Sequence, residues 1–184
     1  MNFPNFITIA RILLVPFTVW LIISEAYGFA FFAFFAAGVS DGIDGYIARR
    51  FNLRTELGAY LDPIADKALL VSIYGSLGFL KVLPAWLVIL VVSRDILIVG
   101  AVILSWQLDR PIRMAPHMLS KINTAGQIAF VAIVLGVLAL DLDIEPWRSV
   151  GMGIVALLTA ASGALYLRQW VRHMAGHNGG PAPS

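Results

Sequence analysis

The chain has 184 residues, of which 59% are hydrophobic and only 13% charged, and its formal net charge is +2; its mean hydropathy is +0.83. Soluble domains run at about 45–50% apolar and about 25% charged, so an ordinary soluble domain is excluded and an integral membrane protein of one compact domain is expected. Cysteine is absent, which removes disulfides, thiolate metal ligands and a cysteine nucleophile.

A membrane-crossing helix needs roughly 20 mostly apolar residues, and six such stretches follow one another along the chain. The first, Asn5–Ser24, contains Arg11 and Pro16. The arginine interrupts the apolar run and no small-residue cleavage pattern follows, so a signal peptide is not expected; Pro16 is expected to mark a kink. The second, Tyr27–Arg49, and the third, Gly58–Leu80, meet at a short acidic segment. The fourth, Pro84–Trp106, carries Arg94 and Asp95; the fifth and sixth are Ser120–Leu140 and Trp147–Gln169. Short connections make neighbours antiparallel, so the expected fold class is an all-α integral membrane protein, a six-transmembrane-helix bundle occupying residues 1–175. The tail "GHNGGPAPS", residues 176–184, is rich in Gly and Pro and is expected to be disordered.

Charges outside the spans orient the bundle. Arg50, Arg54, Arg110, Arg113 and Arg172 lie in the even-numbered connections and the C-terminal segment. The odd-numbered connections hold Glu25, Lys81, and Asp141, Asp143 and Glu145 with Arg148 just beyond. Lys and Arg mark the cytoplasmic side, so both termini are expected to be cytoplasmic.

The acidic segment reads "SDGIDGYIARRFNLRTELGAYLDPIADK". A charged residue at the centre of a membrane helix costs about 2.5–3.5 kcal/mol, and four would cost on the order of 10 kcal/mol if simply added. That sum overstates the cost for positions near helix ends, but such residues are functional candidates by default. Asp41 and Asp44 are three apart, and Asp62 and Asp66 four apart, so each pair projects from one helix face. The spans that carry them are expected to pack antiparallel, bringing the faces together near the cytoplasmic interface. Four carboxylates in one place need cations, and oxygen ligands without Cys or His suit Mg2+, Mn2+ or Ca2+ rather than zinc. Four aspartates suffice for two divalent cations, a pair suited to phosphoryl displacement. Gly45, Ala48 and Gly58 leave room for a bulky ligand, and Arg49 brings a guanidinium suited to phosphate. The combination reads as a diphosphate site. Pro63, between Asp62 and Asp66, removes a backbone N–H and can re-aim that pair.

These residues fill the pattern D-x-x-D-G-x-x-A-R-x8-G-x3-D-x3-D with no departure in type or spacing, and the chance of that is on the order of 10⁻¹⁰ per starting position. In this the sequence resembles the CDP-alcohol phosphotransferase family. The resemblance implies a six-helix membrane fold, a homodimer, a CDP-linked lipid donor and two divalent cations, Mg2+ or Mn2+, held by Asp41, Asp44, Asp62 and Asp66. It further implies Asp66 as general base, and Gly45, Ala48, Arg49 and Gly58 around CDP. The opening "PNFITIAR" is similar to the family's first segment and adds Asn5 and Thr8 to the nucleotide region; the other reading of these two is as capping groups at a helix start. The stretches "LDPIADKALLVSIYGSLGF", "VSRDILIVGAV", "SKINTAGQ" and, more weakly, "TAASGALY" resemble the CMP-forming cardiolipin synthase branch, whose members transfer phosphatidyl from CDP-diacylglycerol to phosphatidylglycerol. Phosphatidylglycerophosphate synthases, with glycerol 3-phosphate as acceptor, share much of the pattern. Either branch implies a bacterial or mitochondrial inner membrane, with the site on the cytoplasmic or matrix side. No nucleic-acid partner is implied.

An acceptor phosphate needs positive charge, and Arg94, Arg110, Arg113 and Lys121 are the candidates. Each has a competing structural reading: an Arg94–Asp95 contact network, or a purely topological role for Arg110 and Arg113. Lys67 either tempers the carboxylates or extends its ammonium to the interface. The rival class is a cation channel or transporter using the same carboxylates. The clustering of all four toward one end, with none in the other half of either span, argues against a continuous polar path.

Overall fold

In a computed structural model the chain forms six helices: α1 (Phe3–Ile23), α2 (Tyr27–Arg50), α3 (Glu56–Phe79), α4 (Ala85–Gln107), α5 (Met118–Ala139) and α6 (Glu145–Gly176). The structure describes the backbone of residues 3–50, 56–107 and 118–176, and the side chains of residues 13–40, 67–100, 118–145 and 147–172. No strand occurs among the described residues. The first five helices end within two residues of the expected spans. The sixth is longer than hydropathy indicates, continuing from Gln169 to Gly176. Helix-forming residues such as Gln169 and Arg172 follow the apolar run, and no glycine stops the helix before Gly176. The expected tail beyond it lies outside the described residues. Helix α1 runs through Pro16, and the helical assignment of α3 is unbroken at position 63.

Helices of 21–24 residues are about 32–36 Å long at 1.5 Å per residue, enough for a hydrocarbon layer of about 30 Å. Two described stretches, Met118–Ala139 and Trp147–Arg172, are long and apolar enough to cross a membrane. The outward faces are also greasy: Phe29, Phe32 and Leu157 are at least 70% exposed. An apolar exterior of this kind suits lipid rather than water.

The three odd-numbered connections end their helices in the same way. After α1, Ala26 N–H donates to Leu21 O and Glu25 N–H to Ile22 O; after α3 the donors are Val82 and Lys81, and after α5 they are Leu142 and Asp141. Each is a Schellman turn, which requires a left-handed residue. Here it is not glycine but Glu25 (φ 58°), Lys81 (φ 59°) and Asp141 (φ 51°). The turns gather at one end of the bundle. Arg148, in the first turn of α6, donates to Val82 O at 3.4 Å, and Gly28 lies against Ala139. The C-terminal ends of α2 and α4 and the N-terminal ends of α3 and α5 therefore lie at the other end of the bundle, as helices alternating in direction demand.

One core joins all six helices: Ile22 from α1, Phe34 from α2, Ile73, Tyr74 and Leu77 from α3, Leu87 and Val91 from α4, Val131 and Val134 from α5, and Val155 from α6. Helix α1 packs on α2 and α3, α5 on α2 and α6, and α4 on α3 and α6. Glycine sets the closest approach between α5 and α6, because a Cβ at Gly151 would collide with the Phe130 ring. Gly153, on the same helix, faces open space. Gly153→Ala is therefore expected to be neutral or mildly stabilising through helix propensity. Gly151→Ala should be about 1–3 kcal/mol less stable than Gly153→Ala through overpacking, as read from unfolding of the two purified variants in detergent.

Candidate active site

Helical register decides where the acidic positions fall. On α2 the core residues Ala30, Phe34 and Ala37 repeat at i, i+4 and i+7, and positions 41, 44 and 48 continue the same row. On α3 the core row of Leu69, Leu70, Ile73 and Leu77 runs back through positions 66, 62 and 58. Backbone register thus puts the two acidic pairs on the continuation of the core rows of α2 and α3, toward the ends away from the odd-numbered turns. Asp44 stands six residues before the end of α2 and Asp62 six after the start of α3; both are about 9 Å along the helix from the 51–55 connection. Asp41 and Asp66 stand nine and ten residues from the same ends. The four positions form two tiers at matching depths. They lie deeper than helix-end residues, which sharpens the cost of charge there.

The side chains of Asp41, Asp44, Asp62, Asp66, Gly45, Ala48, Arg49, Gly58, Asn5 and Thr8 lie outside the described residues, as do Arg110 and Arg113 altogether. Among the described residues no group of three His, Asp or Glu side chains is placed to hold a metal ion, so the acidic rows have no described competitor. The expected direct packing of the second and third spans is not found among the described residues. There α2 and α3 are joined through α1 and α5, each of which packs on both. Phe34, Ala37 and Gly38 of α2, Leu69 and Leu70 of α3, and Thr124 of α5 instead line a cavity of about 390 Å3. Its walls begin within one turn of Asp41 and Asp66.

Beside this region α3, α4, α5 and α6 are tied together by one buried polar node. Arg94, 4% exposed, and Asp95, 5% exposed, continue the core row of Leu87 and Val91 on α4. Arg94 Nη1 donates to Asp95 Oδ1 at 2.6 Å. Its Nη2 donates to Ser120 Oγ at 2.6 Å and to Ser162 Oγ at 2.7 Å. The guanidinium lies 5.8 Å from the centre of the Tyr166 ring, and Gly163 lies beside its stem. Lys67 Nζ reaches across from α3 to the same Asp95 Oδ1, at 2.5 Å. Two cations and one carboxylate leave the node with one excess positive charge. Arg94 Nε and Asp95 Oδ2 are buried with no hydrogen-bond partner.

The described site residues therefore separate. Arg94 has both terminal nitrogens engaged within the protein, the arrangement of the contact-network reading. Lys67, next in sequence to Asp66, is paired with Asp95 of α4; the carboxylates it was expected to temper lie outside the described residues. Lys121 is exposed in the first turn of α5, directly after the Ser120 that Arg94 holds. Sequence reasoning did not find Asp95 as the shared anchor, Ser162 as a partner of Arg94, or a second buried chain. In that chain Gln127 Nε2 donates to Thr159 Oγ1 at 3.3 Å, Thr159 Oγ1 to Asn123 Oδ1 at 2.9 Å, and Tyr74 Oη to Gln127 O at 3.3 Å. Polar residues inside apolar spans were the available signal; their pairing across 26–68 positions was not.

Fold, apolar exterior and buried polar node together define a helical membrane protein. The profile of the CDP-alcohol phosphatidyltransferase family matches residues 1–168, and the chain belongs to that family. It is 33% identical over 179 residues to the human protein named cardiolipin synthase (CMP-forming), covering 89% of this chain and 60% of the human one. It is 32% identical over 186 residues to the Bacillus subtilis (strain 168) protein named CDP-diacylglycerol--glycerol-3-phosphate 3-phosphatidyltransferase, covering 92% of this chain and 95% of that one. To a probable phosphatidylglycerophosphate synthase of Mycobacterium tuberculosis (strain ATCC 25618 / H37Rv) it is 32% identical, over 95% of this chain and 84% of the relative. The chain spans 59–60% of the length of the human and rat cardiolipin synthases it matches.

The node predicts that Arg94 is not replaceable by lysine. One ammonium cannot reproduce the planar fork that joins Asp95 to two serines, and the remaining groups stay buried. Arg94→Lys should cost on the order of 3 kcal/mol, seen as a lower unfolding midpoint of the purified protein in detergent.

Proposed function

We propose that the protein is a phospholipid-synthesising transferase that moves a phosphatidyl group from CDP-diacylglycerol to the terminal glycerol hydroxyl of phosphatidylglycerol, giving cardiolipin and CMP. The observation that carries the reading is the placement of Asp41 and Asp44 on α2 and of Asp62 and Asp66 on α3 at matching depths along the two helices. Family membership supplies the donor class. All six helices are read as spans, with both termini and the site on the cytoplasmic or matrix side. The protein is read as a homodimer.

The donor set, four aspartates spaced three and four apart on α2 and α3, fits hard divalent cations by its chemistry. Asp41, Asp44, Asp62 and Asp66 would hold two, Mg2+ or Mn2+, whose chemistry at this place is neutralisation of the diphosphate and of the departing CMP. Arg49 binds phosphate, and Gly45, Ala48 and Gly58 leave room for the nucleotide, with Asn5 and Thr8 at its edge. Asp66 takes the proton from the acceptor hydroxyl as that oxygen forms its bond to the lipid-side phosphorus. The bond from this phosphorus to the CMP oxygen breaks, and CMP leaves with the electron pair. Positioning and charge neutralisation carry such transfers. Lys121, Arg110 and Arg113 bind the acceptor's phosphate. Arg94 serves the acceptor side from behind, by fixing Ser120 beside Lys121. The apolar cavity between α2, α3 and α5 gives an acyl chain a place alongside the site.

A second reading has its own support: the Bacillus subtilis relative, matched over 95% of its length, is named for glycerol 3-phosphate as acceptor. Purified protein with labelled CDP-diacylglycerol, Mg2+ or Mn2+, and each acceptor in turn separates the two. Cardiolipin with phosphatidylglycerol is the expected product; product with glycerol 3-phosphate alone overturns the choice of acceptor. Absence of CMP release with every acceptor would favour the transport reading. Asp66→Asn, which keeps size and removes the base, is expected to lower turnover about 10²–10⁴-fold, measured as CMP release at saturating substrate. Turnover near that of the unaltered enzyme would remove Asp66 from its role.

A further inference from the structure

The cavity between α2, α3 and α5 lies at mid-depth in the bundle. Its walls fall between the eighth and thirteenth of the 24 residues of α2. On α3 they are the fourteenth and fifteenth of 24, and on α5 they fall between the seventh and fifteenth of 22. Every wall residue thus stands at least about 9 Å from either end of its helix. Helix α5 is long and apolar enough to cross a membrane, so this depth is that of lipid hydrocarbon. Phe35, Val39 and Ile128 line the cavity and are also exposed, so it opens sideways through the outer face of the bundle. Water does not suit the space. A buried water needs about two to four polar partners, and Thr124 supplies the one polar side chain among the lining residues. Open to lipid at that depth, a groove of about 390 Å3 takes a hydrocarbon chain.

Gly38 is the wall residue without a side chain, and a Cβ added there would meet nothing within 4 Å. Helix packing therefore does not require this glycine, unlike Gly151, where a Cβ would strike Phe130. A side chain at position 38 would grow into the groove rather than into a neighbouring helix. Position 38 stands three residues before Asp41 on the same helix, about 4.5 Å of rise, at the end of the groove nearer the acidic positions. We infer that Gly38 is a specificity-determining position for the acyl chains of the lipid donor: its missing side chain lets a long chain of CDP-diacylglycerol enter the mid-depth groove. The inference rests on the transferase reading and adds to it the residue that decides which chain is accepted. The donor is chosen because it carries acyl chains under both acceptor readings, whereas glycerol 3-phosphate has none.

The test uses the purified full-length protein in detergent with a CDP-diacylglycerol that carries a photoreactive diazirine midway along one chain. Labelling is expected on the groove residues of α2 and α5, located by mass spectrometry of the cleaved protein. It should fall when unlabelled CDP-diacylglycerol is added and persist when the same amount of phosphatidylcholine is added. Gly38→Leu should lose most of this labelling. It should also shift the ratio of kcat/KM for CDP-dioleoylglycerol over CDP-dioctanoylglycerol about tenfold toward the short chain, the scale of a methylene misfit in an apolar pocket. Gly153→Leu, at a glycine equally open but away from the groove, should leave both readouts unchanged. Labelling that phosphatidylcholine removes equally well would mean ordinary membrane lipid in the groove. Labelling only elsewhere on the protein would mean another occupant, such as a second copy of the chain. Either result, or an unshifted ratio in Gly38→Leu, overturns the inference. If Gly38→Leu does not fold, Gly38→Ala decides by the same ratio: a shift toward the short chain supports selection, and an unshifted ratio overturns it. Failure of the underlying reading looks different. There the unaltered protein would release no CMP with either acceptor and its labelling would not respond to CDP-diacylglycerol, and the inference would fall with that reading.

Discussion

A polar group on the core-facing row of a helix in lipid has nowhere to turn but inward. The exterior offers hydrocarbon, so each buried donor, acceptor or charge must be answered by another helix or by a ligand. This constraint organises the whole bundle. Toward the odd-numbered turns the rows are mainly hydrocarbon, and Ile22, Ile73, Leu77 and Val134 are buried with no exposure. Further along, the rows become polar. Where the structure describes the polar side chains, their partners come from across the bundle: Arg94 with Ser162, Lys67 with Asp95, Thr159 with Asn123.

The helices therefore divide their labour along their length. The hydrocarbon end sets the distances between helices, with Gly151 fitted against Phe130 as one close approach. The polar end exploits those distances. Arg94 reaches both Ser120 and Ser162 only because α4, α5 and α6 are already at a fixed spacing. The surplus positive charge of the node and the negative charge of the acidic rows are opposite in sign.

Much of this was legible before any coordinates. Hydropathy placed five helices to within two residues, because a span is a local property of composition and length. The acidic rows were visible as spacing, because side chains three or four apart share a helix face whatever surrounds them. Other features were not legible. The length of α6 escaped a reading based on hydropathy, since its last turns are polar yet helix-forming. The left-handed turn residues Glu25, Lys81 and Asp141 carry no glycine signature. The joining of α2 to α3 through α1 and α5 could not follow from a short connection, which constrains ends rather than whole helices. Lys67 gave the clearest ambiguity: its neighbours in sequence are Asp66 and a run of apolar residues, while its partner is 28 positions away.

By itself the sequence determined that the chain is a lipid-embedded helical bundle, where five of its helices begin and end to within two residues, and where carboxylates recur in the pattern of the family to which the chain belongs. Those properties depend on transfer energies and on 3.6-residue periodicity, both of which act along the chain. Tertiary structure alone decided that Arg94, Lys67 and Asp95 share one oxygen atom as anchor, that Ser120 and Ser162 complete the node, and that a cavity opens between α2, α3 and α5. These are meetings between residues distant in the chain. They are set by which rows interlock when six helices pack, and pairing of charges in a low dielectric acts over a few ångströms of space irrespective of sequence separation.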